Sequence, residues 1–538
     1  MTDNVGSPKL KHFRQIIFWP LRLIPPDQDK TNWEKKGCTA YIQKFLLPTS
    51  SLWIPLNENL SNRETAPSEI TCYAELLYFN PFIRSFLYGG PDVKRPKLRL
   101  FKRTDVKKLQ IVLREGQELE FDVDRIHLYI FDIEIAILVM EISSINLENT
   151  ELSEIQDFLD QFRRVYPPYW DEFDGSYKAG LCPQTVTFLG KKSQELIKGT
   201  FNAPKEFLPF IRHNKASPVT KHWCFLLEPF VPYECSQWDS DKIRYQQLED
   251  ERMPYMAYLA FDNPRLLTKG DMMRLGFAES SGDRNSLPYS SNSQFSQNFE
   301  QDYCYDYYWE TDLQYHDKHD WMNTRYICCG YAFTMIGGSS FFNDNKVGAL
   351  AHFRHHYFQI GLLVHFHKAG LFVLWDKLHK KAESLIYPNS LEVRQILQEL
   401  QQLTKLFSEI STLGQAKKLF NLWEHHLGIK NSLERALKET QDIHERLEME
   451  EQKQQTDTTV RLTVVATVGL AAALSLGVFG GELQKIWGSE DPTLGALSVV
   501  FSAFALGVLV TLFFSQQLSH LIDLVATKKM WQWLKNKF

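Results

Sequence analysis

Histidines with metal-ligand spacing occur in one apolar segment of the chain. His352 and His356 are four residues apart, which places two imidazoles on one face of a helix, and His355, His365 and His367 lie close by. No HExxH pattern accompanies them. The alternative interpretation is therefore that they are ordinary helix histidines, partly buried against aromatic rings.

A second group of ligand-type side chains lies in DLQYHDKHDW (312–321), where Asp312 opens a run of carboxylates and imidazoles. The candidates for binding a divalent regulator are His316, Asp317, His319 and Asp320. A solvated acidic loop explains the same composition, and the identity of any metal stays open.

Motifs that mark catalytic centres do not occur in this sequence. There is no GxGxxG, Walker A or GxSxG pattern. We therefore expect no enzyme and assign no catalytic residues or covalent cofactor. The net charge of −5 over 538 residues predicts no nucleic-acid partner. The eight cysteines lack CxxC spacing, which favours reduced thiols in the cytosol.

Two long segments near the C-terminus carry no charged residue. They cover 20 residues, 462–481, and 27 residues, 493–519. Each is long enough to cross about 30 Å of hydrocarbon as a helix, which requires roughly 20 residues. A pair of central helices in a soluble core is the alternative, but such helices usually keep a polar face. The sequence predicts membrane spans at about 462–481 and 493–515.

The charges that flank these spans predict their orientation. Basic residues precede the first span and follow the second, whereas the loop between them has Glu482, Glu490 and Asp491 against Lys485. The positive-inside rule then places both termini in the cytosol of a bacterial-type inner membrane. A basic tail, 520–538, would return to the cytosol.

Small and hydroxyl residues recur every four positions along the first span. Gly469, Ala473, Gly477 and Gly481 form a ridge that allows close helix packing. A second ridge, Thr463, Thr467, Ala471 and Ser475, lies about 200° away around an ideal helix. The candidate pore-lining residues are Thr463, Thr467, Ser475, Gly477, Val478 and Phe479. The alternative is that the hydroxyls bond to carbonyls of their own helix.

Two carboxylates lie just outside the charge-free run of the first span, Asp457 before it and Glu482 after it. In a symmetric oligomer each would become a ring of negative charge that concentrates cations at a pore mouth. Asp457 also suits a solvated cap position, so both interpretations stay open.

The rest of the chain predicts an α+β cytosolic domain, residues 1–345. Alternating β-branched runs indicate strands in 109–142, 221–230 and 325–337, and Leu152–Phe162 has helical spacing. Residues 346–457 read as helices, with an apolar seam of Ile396, Leu400, Leu403, Phe407 and Ile410. A last helix begins near Asn431, becomes polar, and continues as a stalk into the transmembrane hairpin, 458–519.

This plan resembles the CorA-type magnesium/cobalt transporters over about 390–538. In order, it consists of a cytosolic domain, a stalk helix, a span, an acidic loop, a second span and a basic tail. The resemblance implies a pentamer whose first span lines the pore. In that family the span ends in Gly-Met-Asn, and the Asn ring binds hydrated cation. This chain has Gly477-Val478-Phe479 there, so the Asn amide is replaced by a ring that could restrict the pore by dewetting.

Three hypotheses follow for function. The first is a CorA-like oligomeric channel or transporter with altered selectivity, for which Mg²⁺ or another divalent cation is substrate or regulator. The second is a pore effector gated when its cytosolic domain binds a nucleotide, another small ligand or a protein. The third is a scaffold or enzyme tethered to the lipid bilayer.

Overall fold

The computed structural model describes residues 8–49, 52–56, 79–88, 97–144, 147, 150–167, 182–200, 213, 217–233, 241–248, 250–305, 324–342, 348–383, 390–407, 410–411 and 414–486. The described strands are β1 Leu10–Ile24, β2 Trp53–Pro55, β3 Leu98–Arg103, β4 Lys108–Val112, β5 Glu118–Phe131, β6 Ile135–Ser144, β7 Thr185–Leu189, β8 Glu195–Thr200, β9 Val231–Pro232, β10 Arg244–Gln247, β11 Tyr255–Phe261, β12 Arg325–Cys328 and β13 Ala332–Gly338.

The described helices are α1 Lys30–Lys36, α2 Cys38–Thr49, α3 Pro81–Tyr88, α4 Leu152–Gln161, α5 Lys221–Leu227, α6 Lys269–Phe277, α7 Gln294–Gln297, α8 Ser339–Phe342, α9 Ala349–Ala351, α10 Phe358–Glu383, α11 Ser390–Phe407, α12 Gly414–His426 and α13 Ile429–Ile486. Short 3₁₀ turns are Asp27–Asp29, Lys191–Ser193 and Pro264–Leu266, and two π-helices are Phe299–Tyr303 and His352–Tyr357.

The chain divides into two compact units. The first contains 1–383 and 395–440, and the second contains 384–394 and 441–538. The helices that precede Thr440 thus belong mostly to the same unit as the strands. A sheet-rich N-terminal domain of mixed α/β type and a helical C-terminal region are confirmed, whereas the transmembrane hairpin and the CorA-like fold stay predictions.

One sheet of 13 strands organises the described part of the first unit, with main order β12-β13-β11-β1-β6-β5-β4-β7-β8. Strand β1 lies in its middle, antiparallel to both β6 and β11. The only parallel pairs among the described strands are β11 with β13 and β9 with β10. Because β1, β6 and β11 are almost entirely buried, both faces of the sheet must be covered.

Helices α4 and α5 cover one face of the sheet through aromatic contacts. Phe13 of β1 meets Phe158 of α4 with ring centroids 5.8 Å apart, and Trp19 meets Trp223 of α5 at 5.7 Å. Phe162 and Trp223 then join the two helices at 5.3 Å. These edge and tilted ring contacts add to the burial of large apolar area.

Helix α10 covers the opposite face. Phe18 of β1 stacks on Phe358 at 5.7 Å, and Phe131 of β5 stacks on Phe366 at 4.0 Å. In the described part of the chain, one helical run, Ala349–Lys380, is long and apolar enough to cross a membrane. Of the most apolar 18-residue stretch of this run, 89% is buried inside the protein. Contact with the sheet therefore accounts for its apolar character.

Segment 221–230, predicted as a strand, instead contains helix α5, and the next strand, β9, begins only at Val231. The strand prediction was wrong there because the run of apolar residues is too short for periodicity to distinguish a buried strand from a buried helix. Its buried residues, His222, Trp223, Leu226 and Leu227, lie on one helical face. The strands predicted in 109–142 and 325–337, and the helix predicted from Leu152, are confirmed.

The apolar seam predicted in 390–410 is buried at every position, since Ile396, Leu400, Leu403, Phe407 and Ile410 are at most 7% exposed. Helix α11 ends at Phe407, so Ile410 continues the seam from beyond the helix. The last helix, expected near Asn431, begins at Ile429.

Gly361 allows helix α10 to approach its neighbours closely. A Cβ at this position would lie 2.8 Å from the ring of Trp423, 3.2 Å from Phe18 and 3.3 Å from the sulfur of Met256. The first of these separations is shorter than real Cβ contacts, and all three partners are buried. The absence of a side chain is therefore what lets the helix, the sheet and α12 meet here.

We expect Gly361→Ala to lower the free energy of unfolding by about 1–3 kcal/mol, because an extra methyl group overpacks the core. The effect opposes the gain in helix propensity that Ala brings. Gly414→Ala is the matched control, since a Cβ there meets no atom within 4 Å. Thermal unfolding followed by tryptophan fluorescence checks the pair. Equal stability of the two variants would contradict close packing at Gly361.

Candidate functional sites

Helix α13 carries the predicted pore residues. It runs for 58 residues, Ile429–Ile486, without a break between its polar part and the charge-free run 462–481. Asp457 and Glu482 are 25 positions apart on this helix, which corresponds to about 37 Å of axial length. That separation exceeds the ~30 Å of a hydrocarbon core, so each carboxylate can stay in water while the residues between them cross lipid.

The described side chains on this part of α13 are largely exposed. Leu462 is 64% and Val465 38% exposed, and a Cβ added at Gly469 would meet no atom within 4 Å. Asp457 is half-buried. Apolar residues exposed at the start of the charge-free run require either lipid or other protein to remove them from water.

Thr463 donates a hydrogen bond from its hydroxyl to the carbonyl oxygen of Thr459 at 2.8 Å. The hydroxyls of Thr456 and Thr459 likewise donate to the carbonyl oxygens four residues before them. This is the own-helix bonding that competes with the pore-lining hypothesis. Of the other pore candidates, Thr467, Ser475, Gly477, Val478, Phe479 and Glu482, only the helical backbone is described. The second span, 493–515, and the basic tail lie outside the described residues.

The histidines of 352–367 do not come together as metal ligands. His352 and His356 lie on the π-helix with ring centroids 6.4 Å apart, farther than two imidazoles on one tetrahedral zinc ion. His365 meets Phe18 and Trp423 at 5.2 and 5.6 Å, and burial lowers its pKa to about 3. His367 stacks on Phe407 at 4.2 Å and pairs with Glu424 at 2.7 Å. Packing against aromatic rings is the interpretation that these positions support.

No group of three or more His, Cys, Asp or Glu side chains within the described ranges is placed to hold a metal ion. The candidates His316, Asp317, His319 and Asp320 lie in 306–323, outside the described residues.

An ionic cluster on the α10 side of the sheet was not found from the sequence. Glu141 of β6 is completely buried and forms ion pairs with Arg14 of β1, Arg125 of β5 and Arg354 of the π-helix. Arg14 also pairs with Asp124 at 2.8 Å. Burial opposes ionisation of Glu141, but the three guanidinium groups hold its pKa down to about 2.

Sheet register brings the strand residues of this cluster together. Glu141 lies directly across from Arg125 on β5 and from Ile16 on β1, two positions beyond Arg14. One sequence signal was available: ILVMEI places a single acid in an apolar strand, and FRQII places a single base in another. Buried charges are almost always paired, so each implied a partner. Nothing in the spacing indicated which partner that was.

Three comparisons with known proteins leave the chain without an assigned class. No family model, no curated protein and no solved structure matches it. Any function must therefore be argued from its own residues and from the resemblance in plan.

Neutralising Asp457 to Asn should lower cation conductance, most strongly at low salt, if this residue forms a charged ring at the inner mouth. Screening hides such a ring at 1 M salt, where the Debye length is about 3 Å. Glu482→Gln should weaken cation entry from the outer side, although Lys485 nearby reduces that effect. Liposome flux across ionic strengths, measured from both sides, checks the two substitutions. Unchanged cation-over-anion selectivity at low salt would place both carboxylates away from a conduction path.

Proposed function

We propose that the chain is a CorA-like oligomeric membrane channel or transporter for cations, with a selectivity altered from the Mg²⁺/Co²⁺ type. It would lie in a bacterial-type inner membrane with both termini in the cytosol. Two spans per subunit cannot enclose a water-filled path, so conduction requires several copies, and the resemblance implies five.

The observation that carries this proposal is the continuity of helix α13. Its segment 441–461 is mostly polar and mostly exposed, and the same helix enters the charge-free run without a break. A helix that changes from a mostly polar part to a charge-free, largely apolar part suits a stalk in water that becomes a span in lipid. A soluble core helix keeps both kinds of surface along its whole length.

The altered selectivity is argued from Phe479. The resemblance aligns this residue with the Asn whose amide oxygen meets the hydration shell of the ion. An aromatic ring offers no comparable acceptor, and a ring of apolar side chains excludes water from a narrow pore. Phe479 would therefore restrict the outer mouth.

We expect single cysteines introduced at Gly469 or Ala473 to cross-link neighbouring subunits in mild detergent, because small residues let the first spans approach closely. A cysteine introduced at Leu427, before α13, serves as a control for random collision. Ladders of covalent oligomers on denaturing gels, beyond those of the unmodified chain, check this result. A monomer by light scattering with no such ladder would contradict the pore and favour a tethered scaffold.

Phe479→Asn should raise divalent-cation flux into liposomes and sensitivity of growth to cobalt, because the amide restores an acceptor for hydrated cation. Phe479→Leu is the control, since it keeps an apolar side chain without the acceptor. Size-exclusion chromatography establishes that both variants stay assembled. If flux is the same in Phe479→Asn, Phe479→Leu and the natural chain, the residue faces lipid rather than a pore.

A further inference from the structure

The ionic cluster around Glu141 contains more positive than negative charge. Three guanidinium groups, Arg14, Arg125 and Arg354, face two carboxylates, Glu141 and Asp124, which leaves an excess of one positive charge. Within the described residues these three arginines have no other ion pair. An unpaired charge in a partly buried site is unfavourable unless a counter-charge reaches it.

Among the described residues, the histidines that the electrostatics couple to this cluster carry no negative charge. Burial, followed by the field of Arg14, lowers the pKa of His12 to about 4, so this imidazole is neutral at pH 7. Burial and then Arg125 lower the pKa of His127 to about 3, and Lys102 acts in the same direction.

Two of the guanidinium groups keep donors directed to solvent. The Nε of Arg125 is in ion-pair contact with Glu141 without a hydrogen bond of its own, and Nη2 donates to the backbone oxygen of Arg354 at 3.2 Å. Arg354 uses Nε at 2.6 Å and Nη2 at 3.4 Å for Glu141. In the described part of the chain, Nη1 of each has no protein acceptor and neither is among the enclosed unpaired nitrogens. Their side chains are 17% and 34% exposed.

These donors are held in place before any ligand arrives. The guanidinium of Arg125 lies over the ring of Phe358, 4.3 Å from its centroid. Asp124 is the extra residue of a bulge in β5, where the register shifts between Val123 and Arg125, and it accepts a hydrogen bond from Ser143 at 2.6 Å. Arg354 comes from the π-helix. Bulges and π-helices both occur preferentially at functional sites.

We propose that the solvent-facing Nη1 groups of Arg125 and Arg354 form a binding site for a phosphate-type anion, either free or as part of a nucleotide. Glu141 organises this site by holding both guanidinium groups together. Tetrahedral oxyanions suit it because they offer several acceptor oxygens to fixed guanidinium donors and carry enough charge to offset the excess. The site lies on the sheet-rich unit and depends on neither the pore nor the oligomer.

The test is calorimetric titration of the full-length protein in detergent with inorganic phosphate, pyrophosphate and ATP at constant ionic strength. We expect at least one of the three to bind saturably, and Arg354→Gln to weaken that binding tenfold or more. Binding of phosphate or pyrophosphate would identify a free anion as sufficient, and binding of ATP alone would identify a nucleotide as the source of the phosphate. Arg354→Lys should retain part of the affinity, because it keeps the positive charge but loses the paired donor nitrogens of the guanidinium group.

Arg252→Gln is the matched control, because Arg252 is a partly exposed arginine that pairs with Asp250 outside the cluster. It should bind as the natural chain does. Arg125→Gln provides a second variant if Arg354→Gln lowers the unfolding temperature. The proposal is overturned if none of the three anions produces more heat than sodium chloride, or if folded Arg354→Gln and Arg125→Gln bind as tightly as the natural protein.

Discussion

The attachment of helix α10 to the central strands is the constraint on which the first unit depends. Ion pairs fix both ends of the helical run Ala349–Lys380, which includes most of α10. Arg354 pairs with Glu141 near its start, and Lys377 pairs with Glu134 at 3.2 Å near its end. Between them the contact is aromatic and so close that Gly361 can carry no side chain. The apolar contact supplies most of the stabilisation, since the desolvation of buried charges offsets much of their attraction. The ion pairs instead fix the position of the helix along the sheet.

That fixed position explains how a structural contact can also create a binding surface. Glu141 needs counter-charges because it is completely buried, and one arginine would neutralise it. Arg14 also pairs with Asp124, so the three arginines exceed the two carboxylates by one positive charge, and two of the arginines retain donors at the surface. If the cluster only stabilised the fold, we would expect equal numbers of positive and negative side chains, or apolar side chains in their place.

Patterns within one element were predictable from the sequence, and contacts between distant elements were not. The alternation in 109–142 and the seam from Ile396 to Ile410 gave the correct elements because their burial follows a local period. Segment 221–230 was wrong because its short apolar run has no distinct period. The Glu141 cluster joins residues from β1, β5, β6 and the π-helix, from Arg14 to Arg354, and only the sheet register and the packing of the π-helix on the sheet bring them together.

Own-helix bonding and pore lining, the two interpretations of the hydroxyls in the predicted first span, compete for the hydroxyl proton but not for the hydroxyl oxygen. Thr463 donates its hydroxyl hydrogen bond to the carbonyl oxygen of Thr459, and in the predicted span this bond would satisfy the donor without water. A hydroxyl oxygen that donates still has acceptor lone pairs. Water bound to a cation turns its oxygen towards the ion and its protons outwards, so a pore wall needs acceptors rather than donors. Own-helix bonding is therefore compatible with the pore-lining hypothesis, in which a threonine oxygen would also accept a hydrogen bond from water around a cation.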